Sequence, residues 1–594
     1  MEAQNKSHST SHSTLRVSDS MGPVSTVCQN CKKNFTIEPE DFSFYEKMKV
    51  PPPTFCFDCR LKRKLAFINE RTLFKRKCDK CSKDIISMYS LESPYKVFCV
   101  NCYNDREDCT KYGTDFSFSR TFFEQFFELF EKVPKSQFRQ RNNNEGCEYS
   151  NHSFYSRNIY LSYTVIGSED IYYSKQVHGN DGGNRICIDC LNIIACERGY
   201  ELINSSKSYN SRFLVNSSQC VDSTFLFNCT NCTDCFMSSN LRNKSYVFRN
   251  QQLSREQYLG QMASLSFDSY LTQEELKKEF LKLCKNTLCI FANIKNSYNC
   301  TGDSIENSKN TFYSFGLVDA ENSKYIFFDN NILRDSYDLA WTGKNQSCYE
   351  LTDAGSGNNH LMFSIFINAA YDSKYCISSD NSNNMFGCVG LVNKSYCILN
   401  KQYTKEEYES LIPRIIKHMN DLPYINKQGI SYRYGEFFPT ELSPFAYNES
   451  LAYEEFPMKQ SDVLDHGYKW RDFIEKTYLV TIESNNLPDR LSDVSDDVLT
   501  EVIACPNKGQ VETKCSSAYR ITPNELRFCR LMKIPLPRFC PNCRYCERKK
   551  WRNPYKLWRR KCMKPNCPNE FETSYAPDRP EIVYCEKCYQ QEVY

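Results

Sequence analysis

The chain lacks long apolar runs and a strong net charge. No stretch of its 594 residues approaches the roughly 18 apolar residues that span a bilayer, so no membrane association is expected. The formal charge is only +3, which points to no particular partner. The opening segment, MEAQNKSHSTSHSTLRVSDS, has no apolar core of the kind found in signal peptides. We therefore expect an intracellular, cytoplasmic protein.

Histidine is scarce, with seven residues, whereas cysteine is abundant, with 34. In a secreted protein so many cysteines would indicate disulfides, but in a reducing compartment paired thiols favour metal binding. The isolated histidines His178, His360 and His466 favour structural or exposed roles over catalysis.

The two ends of the chain repeat one cysteine pattern. Three long intervals between successive cysteines recur with equal lengths and in the same order, and MKVPPPTFCFDCR at one end matches MKIPLPRFCPNCR at the other. Four thiolates without histidine favour zinc over its competitor iron, and they leave no open position for a substrate. We predict about four structural zinc ions, held by Cys28, Cys31, Cys56 and Cys59; Cys78, Cys81, Cys99 and Cys102; Cys505, Cys515, Cys540 and Cys543; and Cys562, Cys567, Cys585 and Cys588.

The C-terminal cysteine pairs are spaced more widely than the N-terminal ones. Cys505 and Cys515 enclose nine residues, which makes Cys505 the least secure ligand. Cys529 and Cys546 align with residues other than cysteine and are not predicted as ligands. Disulfides or buried free thiols are the alternative, but repeated paired spacing favours metal sites.

Basic and aromatic residues follow the CxxC pairs that precede the second site at each end. Such mixtures suit phosphates and unstacked bases of RNA or DNA. Alternatively, the cations offset thiolate charge and lower the thiol pKa values, or they form a solvated face. The candidate nucleic-acid contacts are Arg60, Lys62, Arg63, Lys64, Arg548, Lys549, Lys550, Trp551, Arg552, Trp558, Arg559, Arg560 and Lys561.

The middle of the chain is a train of short units. Apolar or aromatic triplets alternate with Asn, Asp and Ser every eleven or twelve residues, which predicts a right-handed parallel β-solenoid. We expect each turn of the solenoid to consist of two such units, with one strand in each. A β-sandwich or propeller is the alternative, although either would need longer strands and more glycine.

This middle region is itself duplicated. NKSY recurs at positions 243 and 393, and each copy is followed by a capping box, Ser254 with Gln257 and Thr404 with Glu407, that predicts a helix. At this offset several cysteines exchange with small or apolar residues, which favours buried thiols over metal ligands for the trio Cys229, Cys232 and Cys235. For Cys187 and Cys190 no repeat partner decides between buried thiols and metal ligands.

The predicted fold is mainly β, with a duplicated central solenoid flanked by two dual zinc-ribbon modules and a few capping helices. One of these, within 119–133, carries a stripe of five phenylalanines that could seal the end of the solenoid. The predicted segments are a disordered tail (1–23), an N-terminal module (24–104), a linker and capping helix (105–144), half 1 (145–250), a helical insert (251–297), half 2 (298–400), a helix and irregular strap (401–495) and a C-terminal module (496–594).

Several segments carry a family resemblance over most of the chain from position 24 to its end. NKSYCILNKQYTKEEYESL, NESLAYEEFP, GYKWRD and NEFETSYAPDRPEIVYCEKCY resemble a family of zinc-ribbon proteins from uncultivated small-genome bacteria, with some relatives in large viruses. The resemblance implies metal binding but no activity. Some members bear the label "CaiB/BaiF family", which denotes CoA-transferases. Neither a doubly wound α/β pattern nor a suitable nucleophilic carboxylate supports that chemistry here.

Three functions are compatible with these patterns. The first is a non-enzymatic zinc protein that associates with RNA or DNA through its basic linkers. The second is a scaffold that binds another protein on the solenoid face, with zinc modules closing the two ends. The third is an enzyme on the solenoid, which needs paired carboxylates or a base at a groove. The candidates for that chemistry are Asp329, Asp335, Asp338, Asp353 and Asp372, although turns alone would also place Asp there.

Overall fold

The computed structural model describes residues 22–140, 143–179, 182–329, 332–473 and 477–593. The predicted disordered tail therefore falls almost entirely outside the described residues. The fold is mainly β, as predicted, with 33% of residues in strands and 24% in helices. Most strands lie in two large parallel sheets, one in each half of the middle region.

The parallel register advances by twelve positions from one strand to the next. Leu202 pairs with Leu214, and Leu214 with Leu226. In the second half Tyr337 pairs with Tyr349 at the same interval. We call the interval from one strand to the strand that pairs with it a step. The prediction of two units per turn is therefore wrong, because a single unit of eleven or twelve residues spans one step.

A residue with positive φ occurs every third position through much of both halves. From Asn192 to Asn204, every third residue has a positive φ, with values from 47° to 55°. Such left-handed residues bend the strand sharply, so one step contains four corners. Asn and Asp reach this conformation more easily than other non-glycine residues, which explains their frequency. Their side chains stack between steps: the Asn192 amide donates to Asn204 at 3.1 Å.

The residue after each corner is buried in a narrow interior. The side chains in this interior are mostly Ser, Cys, Ile, Leu and Val. The hydroxyl of Ser205 donates to the carbonyls of Ile203 and Leu214, and the thiol of Cys229 makes the same two contacts with the carbonyls of Phe227 and Ser238. A thiol thus replaces a serine hydroxyl, which accounts for cysteine in this region.

The strands of the first half, which we call the first repeat (145–250), are Ser153–Phe154, Arg157–Tyr160, Tyr163–Ile166, Glu169–Tyr172, Lys175–His178, Arg185–Ile188, Leu191–Ile194, Glu197–Ser206, Tyr209–Val215, Ser218–Val221, Thr224–Phe227, Thr230–Ser239, Arg242–Phe248 and Gln251–Gln252. Those of the second repeat (298–400) and its approach are Ile294–Lys295, Tyr298–Glu306, Lys309–Val318, Ala320–Lys324, Phe327–Asp329, Leu333–Arg334, Tyr337–Thr342, Asn345–Gln346, Tyr349–Ala354, Asn358–Asn359, Met362–Ile365, Asn383–Phe386, Ser395–Ile398 and Lys401–Gln402.

Each repeat ends in the same way. A short antiparallel strand folds back on the last parallel strand, pairing Val247 with Gln252 and Cys397 with Gln402. Helices Arg255–Ala263 and Lys405–Asp421 follow, and both predicted capping boxes are present. A hairpin and a helix therefore follow the last step of each repeat.

The α-helices are Pro39–Met48, Phe57–Leu65, Val100–Asn104, Phe122–Lys132, Arg255–Ala263, Tyr270–Lys285, Lys405–Asp421, Leu451–Glu455, Gln460–Asp465, Pro523–Met532, Pro541–Lys549 and Glu586–Val593. The predicted phenylalanine helix is the fourth of these. Its Phe122 packs against Tyr375 and Phe386 of the second repeat. Short strands between these regions are Lys135–Ser136, Leu288–Ile290, Tyr424–Ile425, Ser431–Tyr432 and Ile482–Glu483.

The two cysteine modules pack on the repeats in a crossed arrangement. The N-terminal module shares a core with the second repeat, where Phe44 stacks on Tyr337 at 3.9 Å. The C-terminal module shares a core with the first repeat, where Phe528 lies 6.1 Å from Tyr200. Each module therefore contacts the repeat that is more distant from it in the sequence.

Candidate metal centres and the basic residues around them

The described residues contain four groups of four cysteines that could hold metal ions. Within each group all four sulfur atoms lie within 4.8 Å of one another. The groups are the four sets that the spacing predicts, and Cys505 lies in its set despite the wide interval that follows it. All 34 cysteines lie in described residues and none forms a disulfide.

The spacing of the sulfurs fits a tetrahedral ion. Zinc bound to four thiolates at about 2.3 Å requires sulfurs roughly 3.8 Å apart. The distance from Cys567 Sγ to Cys588 Sγ is 3.5 Å, and that from Cys540 Sγ to Cys515 Sγ is 3.9 Å. An ion of this size therefore fits with the sulfurs where they stand.

Local backbone structure prepares the thiols to carry negative charge. Cys56, Cys99 and Cys540 each occupy the N-cap of a short helix, where the helix dipole favours an anion. Burial acts to raise the pKa of the Cys585 thiol, but hydrogen bonds from the Asn569 amide and the Cys588 backbone lower it to about 6. These donors stabilise the thiolates that a metal ion needs.

Short hairpins set the spacing of the CxxC pairs. Strands Val24–Val27 and Asn34–Ile37 flank Cys28 and Cys31, and the next residue, Lys32, has a φ of 59°. The remaining hairpins and short strands of the two modules are Phe74–Lys77 with Asp84–Ser87, Trp558–Lys561 with Glu570–Thr573, Val97–Phe98, Ile503–Ala504, Ala518–Tyr519 and Ile582–Tyr584.

Three of the N-terminal basic candidates are buried. The Arg60 guanidinium donates to Asp338 at 3.0 Å, and Lys64 lies 3.5 Å from the same carboxylate. Arg63 forms ion pairs with Glu350 at 3.2 Å and with Glu436. The prediction that these cations contact nucleic acid is wrong for the folded chain, because the carboxylates of the second repeat and the strap bind them in its interior.

The C-terminal module repeats this arrangement on the first repeat. Arg548 is 1% exposed and pairs with Asp189 at 2.7 Å, and Arg544 contacts the same carboxylate at 3.2 Å. Arg548 also lies 3.6 Å from Glu201. The predicted nucleic-acid contact of Arg548 is therefore wrong for the same reason.

The next candidates contact the strap that follows the second repeat. Arg552 and Lys549 pair with Glu455 of helix Leu451–Glu455, which removes Arg552 from the surface. Lys62 lies 3.6 Å from the sulfur of Met458. Trp551 is half-buried, with its ring 5.7 Å from that of Phe280. These side chains, too, make contacts within the protein.

Only part of the predicted basic set faces solvent. Arg559 and Lys561 have side chains that are 80% exposed, on strand Trp558–Lys561, and they share the single carboxylate of Glu570. The other members are Lys550, which is exposed and pairs with Glu547, Arg560, which donates to the Ala576 carbonyl, and the half-buried Trp558.

The candidate catalytic aspartates serve as ion-pair partners. Asp338 binds Arg60, Asp353 lies 2.7 Å from His152, and Asp335 pairs with Lys47. Asp372 lies on the surface near His360, and nothing is described of the Asp329 side chain.

The interior cysteines lie outside the candidate metal centres. No group of described residues able to hold a metal includes Cys187, Cys190 or the trio at 229–235.

The sequence reasoning missed the acidic partners of the buried cations. Asp189 and Glu201 lie one twelve-position step apart, as do Asp338 and Glu350, and all four have positive φ. They thus occupy equivalent corners on neighbouring steps. Reading the repeat at this step length would have placed the two carboxylates of each pair on one face.

A second missed group lies where the N-terminal module and the first repeat meet the strap. Lys175 of the first repeat pairs with Glu70 and with Glu454, and Glu454 also binds Arg71. Burial opposes ionisation of Glu454, but these cations hold its pKa well below the usual range. This charged cluster connects the N-terminal module, the first repeat and the strap.

No protein-family model matches the chain, and no curated protein is detectably similar to it. The resemblance described above therefore stays a prediction. Among the described helices, none has the length and apolar character needed to cross a bilayer.

Proposed function

We propose that this protein is a non-enzymatic zinc-binding scaffold, in which two metal modules clamp a duplicated β-solenoid. The single observation that carries this proposal is that the basic side chains of two helices point into the molecule rather than to solvent. Arg60, Lys64 and Arg548, which lie within two helical turns after a CxxC pair, bind carboxylates inside the molecule. Metal binding would fix these helices, and the helices in turn hold the repeats.

The donor set supports zinc as the ion. Four thiolates per site, with sulfurs 3.5 Å apart between Cys567 and Cys588 and 3.9 Å apart between Cys515 and Cys540, match a closed tetrahedral site. Zinc bound in this way would supply folding free energy rather than an open position for chemistry. About four ions per chain are proposed, one for each group of thiols.

The test of the scaffold is metal removal from the full chain. We expect atomic absorption to give one zinc ion for each of the four thiol groups. We also expect chelation to abolish near-UV circular dichroism from the buried tyrosines in both modules. A chain that keeps this signal after losing its metal would contradict the clamp. So would a metal content that differs greatly from the number of thiol groups.

Association with RNA or DNA is a second candidate, supported by the exposed pair Arg559 and Lys561. Phosphate contacts make affinity fall steeply with salt concentration. Binding of labelled single-stranded RNA and duplex DNA across a salt series tests this. A steep fall of affinity with salt that flattens in the double variant Arg559→Glu, Lys561→Glu supports nucleic-acid association. An absence of binding even at low salt would rule out this second candidate and leave the scaffold as the proposed function.

A further inference from the structure

A large cavity, with a volume of about 730 Å³, lies among the described residues. Its walls come from the first repeat, helix Tyr270–Lys285, the beginning of the second repeat and the C-terminal module. Its volume is in the range of cavities that bind small molecules. The metal centres are not part of its wall, because no cysteine of the four thiol groups lines it.

Aromatic rings form much of the wall. Phe213 stacks on Phe225 at 4.4 Å with an angle of 2° between the rings, and Phe280 and Trp551 lie beside them. Tyr555 contributes from the C-terminal module. Such faces favour a planar ring as the occupant.

The second repeat shows what covers the equivalent rings. Phe363 and Tyr375, the counterparts of Phe213 and Phe225 in the duplication, also stack, at 4.7 Å. There, Tyr434 and Phe438 of the strap pack on this pair of rings. In the first repeat Phe280 packs on Phe225, and the cavity adjoins these buried rings. Aromatic side chains of the strap thus pack on the rings of the second repeat, whereas a cavity lies beside those of the first.

Cations outnumber carboxylates in the cavity wall. Nine cationic side chains line it against five carboxylates, and three of the nine, Arg544, Arg548 and Arg552, also pair with Asp189 or Glu455 outside the wall. Arg538 is buried and contacts the backbone carbonyls of Ser484 and Pro488 rather than a carboxylate. Lys278 and Lys285 also line the cavity. An anionic group would offset the charge of Arg538 and of these lysines.

Lys277 of helix Tyr270–Lys285 lines the cavity and pairs with Glu274 at 3.0 Å. We propose that this cavity binds a nucleotide unit, with its base between the aromatic walls and its phosphate near Arg538 and Lys277. The site is independent of the scaffold function and of the exposed basic strand. The same chemistry could come from a free nucleotide or from one residue of a single strand.

Titration calorimetry with the zinc-replete full chain tests the site, using AMP, inorganic phosphate and single-stranded hexa-adenylate as probes. We expect one AMP per chain, bound at least tenfold more tightly than phosphate. Tighter binding of the hexamer would support the site and identify a strand as the source. Binding of AMP and of the hexamer no stronger than that of phosphate would overturn the proposal.

Two variants and two matched controls locate the binding. Trp551→Ala removes an aromatic wall and Lys277→Glu reverses a charge on the half-buried face of a helix. Each is expected to weaken AMP binding about tenfold, because base stacking and phosphate neutralisation both contribute directly to affinity. Trp470→Ala and Lys282→Glu alter residues outside the cavity and should leave affinity unchanged. Because Lys277 is on a surface helix, its variant remains informative if Trp551→Ala does not fold. Equal affinities for Lys277→Glu and its control would contradict the site.

Discussion

The first and second repeats present equivalent aromatic rings, but their surroundings differ. In the second repeat, the strap and helix Phe122–Lys132 cover Phe363 and Tyr375. In the first, Phe213 and Phe225 face a helix and a cavity. Both repeats nevertheless contact a cysteine module through the same kind of buried ion pair. The two halves thus share the way in which a module docks. They differ in what lies beside the aromatic rings, which is the strap in the second repeat and a cavity in the first.

The largest expected effect comes from removing a metal ligand in either half. Cys540→Ser and Cys56→Ser should each lower the zinc content by one ion and unfold the module that contains the change, because structural zinc supplies folding free energy. Zinc content and limited proteolysis measure this. Cys546→Ser, which alters a cysteine outside the four sets, is the control. An unchanged zinc content in Cys540→Ser would contradict the assignment of ligands.

The next effect compares the two buried carboxylates. Asp338→Ala leaves Arg60 and Lys64 without their shared partner, and Asp189→Ala does the same to Arg544 and Arg548. Breaking a buried pair costs about 3–5 kcal/mol, so both variants should be less stable by that amount in urea unfolding. Asp84→Ala, which breaks an exposed pair with Lys77, should cost less than about 1 kcal/mol.

If Asp189→Ala and Asp338→Ala behaved like Asp84→Ala, the buried ion pairs would not hold the modules. A large effect in only one of the two would show that the halves are not clamped alike.

A smaller difference concerns strands Lys135–Ser136 and Leu288–Ile290, which precede the two repeats. Lys135 pairs with Val97 of the N-terminal module, and Cys289 pairs with the equivalent residue, Val583, of the C-terminal module. Burial lowers the pKa of Lys135 to about 7, whereas an unfolded lysine titrates near about 10.4. Between these values the unfolded chain binds the extra proton, so this group adds stability as pH rises from about 7 to 10.

Lys135→Met should remove that contribution, so its free energy of unfolding relative to the parent should fall steadily between about pH 7 and 10. Comparing variant and parent at each pH cancels the titration of the thiols. Lys132→Met, an exposed change on the preceding helix, should show no such trend. A pH-independent difference for Lys135→Met would mean that Lys135 titrates normally in the folded protein.

The smallest expected effect on stability is at the exposed strand. Arg559→Glu with Lys561→Glu should shift the free energy of unfolding by less than about 1 kcal/mol, because both side chains are solvated. The matched change at the N-terminal hairpin is Lys75→Glu with Lys77→Glu. Urea unfolding of the two double variants should give similar results, and a loss of several kcal/mol in either would mean that its strand has a structural role.

Sequence reasoning succeeded where chemistry and spacing were tied together. The predicted thiol ligands fall into the four predicted groups, and the capping boxes at Ser254 and Thr404 begin the predicted helices. The buried trio at 229–235 also follows the expectation from the duplication.

It failed where an interaction depended on long-range contacts. A basic helix has the same sequence whether it faces solvent or a buried carboxylate, so the fate of Arg60 and Arg548 depended on the crossed docking. The step length was misjudged because one step has four short sides between its corners rather than two longer strands. The cavity depends on which elements pack beside the rings of each repeat, which no local pattern records.

The most direct test of the crossed clamp is a set of double-mutant cycles measured by urea unfolding of the zinc-replete chain. We expect coupling energies above about 1 kcal/mol for Arg60 with Asp338 and for Arg548 with Asp189, since contacting residues couple and distant ones add. We expect values near zero for Arg60 with Asp189 and for Arg548 with Asp338. The reverse pattern, or no coupling in any pair, would contradict the crossed clamp.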